Sequence, residues 1–182
     1  MSKIGIFMAD GSEEIEGLTV VDIARRAGIE IETISIMDTN RVTGSHEISF
    51  ETDTTKDKAD YDSYDAIVLP GGMPGTIRLG EDETVNRVIL EFAEKGKLVA
   101  AICAAPGVLG KAGLLKGKNA TCHPGHEGDL IGANVLEDMV VEDGNIITSR
   151  GMGTSIPFAL AIVRYLADEA VADKVKKALV YV

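Results

Sequence analysis

Cysteine is scarce in this chain of 182 residues: Cys103 and Cys122 are the whole complement, in no paired spacing of the kind that frames a disulfide-stapled secreted domain. A chain of this length buries roughly 70% of its unfolded surface without staples, so a reducing, cytoplasmic setting is expected. Basic residues are few, 18 Lys and Arg against 29 Asp and Glu, for a formal net charge of −11. Nucleic acid and anionic membrane surfaces both demand a basic face and are excluded as main partners. No apolar run approaches the roughly 20 residues of a membrane span. The opening M-S-K-I-G-I-F-M meets Asp10 and the glutamates at 13, 14 and 16 too soon to make a signal core. Tryptophan is absent, aromatics make up 4%, and no repeat, linker or low-complexity tract appears, so one domain over 1–182 is expected.

Glycine, in contrast, is abundant at 20 residues. Many tight turns with aliphatic packing suit an α/β layer architecture. Lys3 to Met8 reads as a first strand, followed by a turn at Ala9-Asp10-Gly11-Ser12. From Glu13 the apolar spacing shifts to three and four residues through Ile15, Leu18, Val21, Ile23 and Ala24, predicting a helix capped by Ser12 and stopped at Gly28. Ile29 to Ile36 alternates and completes a right-handed βαβ unit. A small hairpin or irregular excursion is expected over Arg41 to Thr54, a short buried strand over Asp65 to Leu69, and a helix over Glu83 to Glu94. Asp143-Gly144 marks a hairpin between Met139–Glu142 and Asn145–Ser149. Two further helices follow, over Thr154 to Leu166 and Ala170 to Leu179, with Pro157 harmless in the opening turn of the first.

The stretch K-L-V-A-A-I-C-A-A-P-G, from Lys97 to Gly107, reads as a buried central strand that delivers Cys103 to a sharp turn before a short helix. At a helix N-terminus the macrodipole favours a thiolate against its reference pKa of about 8.5. Ligands of open parallel sheets bind at the carboxyl ends of strands near the reversal of strand order. Three loops with chemical content are expected there: Asp10 to Glu16, Gly71 to Gly75, and Cys103 itself.

Gly71-Gly72 can bring backbone N–H groups close to a developing anion, although beside Pro70 the plain reading is an ordinary turn. Glu13, Glu14 and Glu16 complement the dipole of the first helix. A carboxyl pushed into a pocket with Cys103 would instead hold its proton, and the residues alone do not choose between Glu14 and Glu16. His123 is either an acid–base group near the thiol or a polar turn residue. Cys122, His123 and His126 lack a convincing fourth ligand for zinc, and Cys122 suits a small buried position. Ser149-Arg150-Gly151-Met152-Gly153-Thr154 suits a tight turn with an N-cap or an anion site, and no G-x-S-x-G context supports a serine hydrolase.

The blocks A-D-G-S-E-E-I-E, V-D-I-A-R-R-A-G-I, Y-D-A-I-V-L-P-G-G, A-A-I-C-A-A-P and T-S-R-G-M-G-T-S resemble, in that order, the ThiJ/PfpI superfamily. That superfamily is related to class I glutamine amidotransferases, and the likeness is greatest to its parkinsonism-associated deglycase subgroup. The resemblance implies a flavodoxin-like sandwich, mostly parallel with helices on both faces, and a homodimer. It places an oxidation-prone nucleophile at Cys103, a protonated partner at Glu16, oxyanion donors at Gly72 and Ala104, and a pocket histidine at His123. It also implies glutathione-independent conversion of methylglyoxal and glyoxal to hydroxy acids, repair of early glycation adducts, or redox-dependent protection, with no metal or organic cofactor. Protease-like relatives carry His directly after the cysteine; Ala104 stands there in this chain, so peptidase activity is not expected. Some members of the subgroup have Arg at the position of His46 and Pro at that of Met152.

Overall fold

The strands at the centre of the molecule are apolar on both faces, as a sheet covered by helices on both sides requires. The computed structural model describes residues 2–182. Its elements in chain order are β1 (Lys3–Met8), α1 (Glu14–Arg26), β2 (Glu30–Ser35), β3 (Arg41–Thr43), β4 (Ser49–Glu51), β5 (Thr54–Thr55), β6 (Ala66–Leu69), α2 (Gly75–Glu81) and α3 (Glu83–Glu94). There follow β7 (Leu98–Ile102), α4 (Pro106–Lys111), β8 (Asn119–Ala120), β9 (Asn134–Val135), β10 (Val140–Asp143), β11 (Ile146–Ser149), α5 (Ser155–Leu166) and α6 (Glu169–Ala178). The main sheet is ordered β10-β11-β7-β6-β1-β2-β5, parallel throughout except for the β10–β11 hairpin. Its inner strands β2-β1-β6-β7-β11 follow the flavodoxin-like order, so strand order reverses between β1 and β6.

Alternation along each strand sorts the core into two layers. Ile4, Ile6, Met8, Val68, Ala100 and Ile102 pack with the helices α1 and α5. Phe7, Ile67, Leu69, Val99 and Ala101 point the other way, toward Leu79, Val88, Ile89 and Leu109 of α2, α3 and α4. The expected hairpins at residues 41–51 and 140–149 are both present.

Two local outcomes differ from the sequence reading. Ser12 does not cap α1; its Oγ accepts the N–H of Ala9 at 3.1 Å and tightens the turn after β1 instead. The C-terminal stop does fall at Gly28, where φ is +76° and the N–H donates to the Arg25 carbonyl at 3.1 Å. Helix α2 was not expected, because G-T-I-R-L-G-E is short and carries glycine at its first and sixth positions. It stops at Asp82, whose carboxylate accepts the N–H groups of Thr84 and Val85 and starts α3.

The loops that leave β1 and β6 lock into each other. Glu13 N–H donates to the Gly71 carbonyl at 2.9 Å, and Gly75 N–H donates to the Gly11 carbonyl at 3.1 Å. This approach demands glycine at position 72: φ there is +89°, and a Cβ would lie 2.3 Å from the Glu13 nitrogen and 2.6 Å from the Gly11 oxygen. Gly72→Ala is therefore expected to cost roughly 2–4 kcal/mol through strain and backbone displacement. Gly128→Ala, where the added carbon meets nothing within 4 Å, is expected to stay within about 0.5 kcal/mol. Urea denaturation midpoints of the two variants check the contrast.

Candidate active site

Strand β7 is buried from end to end and stops at Ile102, so the next residue emerges at the carboxyl edge of the sheet. That residue, Cys103, has φ of +68°, a left-handed conformation that a non-glycine side chain adopts at a cost of about 1–3 kcal/mol. Hydrogen bonds to neighbouring segments hold it there. Its N–H donates to the Ser149 carbonyl at 3.0 Å, and its carbonyl accepts the His123 N–H at 2.8 Å. The turn aims the side chain at the β6 loop. A Cβ on Gly71 would lie 2.5 Å from Cys103 Cβ, 3.1 Å from its Sγ and 2.6 Å from Glu16 Oε2, so a side chain at 71 would fill the space the three groups share.

Helix geometry settles the choice among the acids. Residues two apart on a helix do not share a face, and Glu14 and Glu16 are both buried but point to different places. Glu14 accepts the N–H groups of His46 at 2.9 Å and Ile48 at 3.4 Å, pinning the β3–β4 loop. Although burial works against it, these bonds hold its carboxyl below the ordinary range. Glu13 Oε2 accepts from Ser45 Oγ in the same loop at 3.0 Å. Glu16, 1% exposed, reaches the cysteine: Oε2 accepts the Gly71 N–H at 2.9 Å, and the carboxyl is hydrogen-bonded to the Cys103 sulfur.

Burial pushes the Glu16 carboxyl up to about 7, against the pull of its bonds from Cys103 and Gly71. Burial likewise pushes the Cys103 thiol up, to about 12, with the charge of Glu16 adding to the rise. The backbone N–H groups of Gly72 and Ala104 hydrogen-bond the sulfur and oppose it. The dipole favours a thiolate, as the sequence suggested, and the burial of the sulfur works against it. Helix α4, which supplies that dipole, is six residues long. The two groups titrate as a pair: one proton leaves near neutrality, and one negative charge and one proton remain to be shared between carboxyl and sulfur.

The Gly71-Gly72 pair divides its donors, Gly71 N–H to Glu16 and Gly72 N–H to sulfur. Ala104 is buried beside them. His123 stands at the rim, exposed, its Nδ1 2.9 Å from the Pro124 carbonyl oxygen. A Cβ on Gly151 would lie 3.3 Å from His123 Cδ2 and 3.9 Å from Glu16 Oε1, so only a glycine separates imidazole from carboxyl. The sequence reading assigned no such role to Gly151. Nearby, His126 Nδ1 lies 3.7 Å from Asp129 Oδ2, with its ring 6.1 Å from that of His123. Cys122 is buried, and burial pushes its thiol up to about 11. Among the described residues, the ligand-capable atoms that converge within 4.8 Å belong to Glu13, Glu14 and His46, not to Cys122, His123 and His126. No described helix is long and apolar enough to cross a membrane.

Residues 2–165 match the sequence model of the DJ-1/PfpI family. The chain belongs to this family. It is 38% identical over 182 residues to Protein dj-1beta of Drosophila melanogaster, covering 98% of this chain and 97% of that protein. It is 36% identical over 151 residues to Deglycase PH1704 of Pyrococcus horikoshii, covering 81% and 89%. Among solved structures, oxidized Toxoplasma gondii DJ-1 superposes with a TM-score of 0.96 at 34% identity, over 100% of this chain and 99% of the other.

If carboxyl and thiol share a proton, Cys103 reactivity will report the pair. Alkylation by iodoacetamide, followed by intact mass, is expected to rise with pH through a step near 7, the value to which Glu16 is pushed. In Glu16→Gln that step is expected to vanish and, with the charge that raises the thiol removed, the rate above neutrality to rise about tenfold, the effect of one pKa unit. An unchanged profile would show that the carboxyl does not govern the sulfur.

Proposed function

We propose that the chain is a cysteine-dependent enzyme that converts small α-oxoaldehydes such as methylglyoxal to 2-hydroxy acids without glutathione. The observation that carries this reading is the surroundings of the Cys103 sulfur: a neutral-range acid on one side, and two backbone N–H donors from Gly72 and Ala104 on the other. Membership of a family that includes a protein named as a deglycase supports it.

The chemistry follows from what each group can do. With the shared proton on Glu16, the Cys103 thiolate adds to the aldehyde carbon; the C–S bond forms as the carbonyl π pair moves to oxygen. The N–H groups of Gly72 and Ala104 hold that oxyanion, and Glu16 protonates it to give a hemithioacetal. The Glu16 carboxylate then removes the hydrogen from the former aldehyde carbon and returns a proton to the neighbouring carbon, moving the substrate through an enediol to a 2-hydroxy thioester. His123 faces solvent at the rim and so serves as base for the water that cleaves the thioester. The hydroxy acid leaves and the thiol is restored, with one water consumed per aldehyde.

A second reading rests on the same sulfur. Two equivalents of peroxide would convert Cys103 to a sulfinate with release of two waters, its oxygens accepting hydrogen bonds from Glu16 and the two N–H groups. The relative solved in oxidized form favours keeping this reading.

We further propose that the partner is a second copy of the chain. Ile15, Leu18 and Ile48 are 50%, 38% and 56% exposed and line a surface hollow of about 460 Å³ together with the back of Glu14. This apolar face lies on the helix that carries Glu16. Pairing there would couple the site to the assembly.

Lactate formation from methylglyoxal is expected in the wild type and absent in Cys103→Ala; equal rates in both would overturn the enzyme reading. Under peroxide, intact mass is expected to show two oxygens added at Cys103 if it also senses oxidants, and none in Glu16→Ala. Leu18→Glu is expected to halve the mass measured by light scattering after size exclusion.

A further inference from the structure

The segment that follows β8 builds a turn whose middle peptide faces the His123 ring. His126 N–H donates to the His123 carbonyl at 3.1 Å, closing a four-residue turn with Pro124 and Gly125 at its centre, and Gly125 has φ of +93°. Proline in the second place and a positive φ in the third define a type II turn, which glycine enters without strain. Its central peptide is flipped relative to that of a type I turn. The flip decides what each end of that peptide meets. The Pro124 carbonyl oxygen lies 2.9 Å from His123 Nδ1, and the Gly125 N–H at the other end donates to Glu127 Oε2 at 2.8 Å.

One peptide unit therefore joins an acid to the imidazole. A carbonyl oxygen only accepts, so Nδ1 carries the hydrogen of the neutral ring and Nε2 keeps its lone pair. Nε2 is bonded to Cδ2, the ring atom that a Cβ at position 151 would meet at 3.3 Å, with Glu16 Oε1 3.9 Å from the same point. The basic nitrogen thus belongs to the edge of the ring next to the site, and Nδ1 to the opposite edge. The other tautomer would set a lone pair on Nδ1 against the carbonyl oxygen. Glu127 suits its place, because the bonds from its own N–H and from the Gly125 N–H hold its carboxyl below the ordinary range, leaving it an acceptor at neutral pH. The main chain of His123 is already fixed by its bond to the Cys103 carbonyl, so the ring is what remains to be oriented.

We infer that Glu127 is a positioning residue for His123, acting through the Pro124–Gly125 peptide to hold the tautomer whose Nε2 can take a proton from water. The inference rests on the role proposed for His123 in thioester cleavage, but its first readout does not depend on turnover. In protein carrying isotope-labelled histidine, long-range proton–nitrogen correlation spectra at about pH 9, well above the ordinary imidazole pKa of about 6.5, give the ratio of Nδ1–H to Nε2–H forms. The His123 signals are identified by their loss in His123→Gln. The Nδ1–H form is expected to dominate in the wild type. Glu127→Ala is expected to lower the ratio about fivefold, the worth of one net hydrogen bond. Gly125→Ala, which disfavours the positive φ although an added carbon meets nothing within 4 Å, is expected to lower it likewise. Glu127→Gln, whose amide oxygen still accepts the Gly125 N–H, is expected to stay within about twofold of wild type. With methylglyoxal, kcat is expected to fall in Glu127→Ala and to be kept in Glu127→Gln, while the rate of Cys103 alkylation stays the same in both. A ratio within about twofold of wild type in Glu127→Ala, or an equal fall in Glu127→Gln, would overturn the inference whatever the turnover. A lowered ratio with lactate formed at the wild-type rate would overturn it as well, because the tautomer would then have no part in the reaction. The expected ratios in a protein that forms no lactate would support the positioning role while overturning the enzyme reading.

Discussion

A carboxyl group shut away from water resists carrying a charge, and the site is arranged around that resistance at Glu16. The residue is buried because α1 packs over the reversal of strand order between β1 and β6, where the two outgoing loops diverge and leave a crevice. One backbone donor, Gly71 N–H, compensates part of the lost hydration, and the bond from the cysteine a further part. Had the helix begun two residues earlier in the sequence, Glu14 would have occupied that place. As it is, Glu14 is spent on the N–H groups of the β3–β4 loop, where several donors keep it ionised. Two acids of the same type, two positions apart, thus end with opposite protonation tendencies because their partners differ in number and their surroundings in wetness.

The second constraint is steric and serves the first. A left-handed Cys103 turns the thiol back toward the β6 loop, and the strain is held by bonds from β11 and from His123. The interlock of the Gly11 and Gly72 loops, where backbone lies against backbone, fixes the Gly72 N–H relative to the sulfur. The donors therefore need no rearrangement when charge appears there, which is the condition for backbone dipoles to stabilise an oxyanion efficiently. His123 contributes to this architecture through its main chain whatever its ring does, because its N–H caps the Cys103 carbonyl.

Much of this was legible in the residues, and the parts that were not share a cause. The apolar strand ending at Cys103, the stop at Gly28 and the hairpin at Asp143-Gly144 are local signals, readable from periodicity and turn chemistry. The likeness of the matched blocks pointed to Glu16, whereas composition and spacing left it level with Glu14, since only the placement of α1 against β6 separates them. The cap assigned to Ser12 failed because a tertiary demand, closing the β1 turn, took its hydroxyl first. Helix α2 escaped notice because its seven residues carry too little periodicity to register. The sulfur's surroundings were illegible for a different reason: a dipole argument can be made from sequence, but the desolvation that opposes it depends on how three separate loops cover one atom.

The same pair of groups that would turn over an aldehyde would also hold a sulfinate, yet the two chemistries ask different things of Glu16. Stabilising an oxidised sulfur requires only that the carboxyl stay protonated, and an acid lifted far above neutrality would do that best. Isomerising a hemithioacetal requires one group to give a proton and take another back within a catalytic cycle, which is most efficient when its pKa lies near the working pH. A carboxyl pushed to about 7, and no further, meets the second requirement. The bonds from Cys103 and from the Gly71 N–H set that limit by opposing burial. Under the aldehyde reading proposed for this cysteine, the balance between burial and the bonds from Cys103 and Gly71 is the feature that would favour turnover over storage.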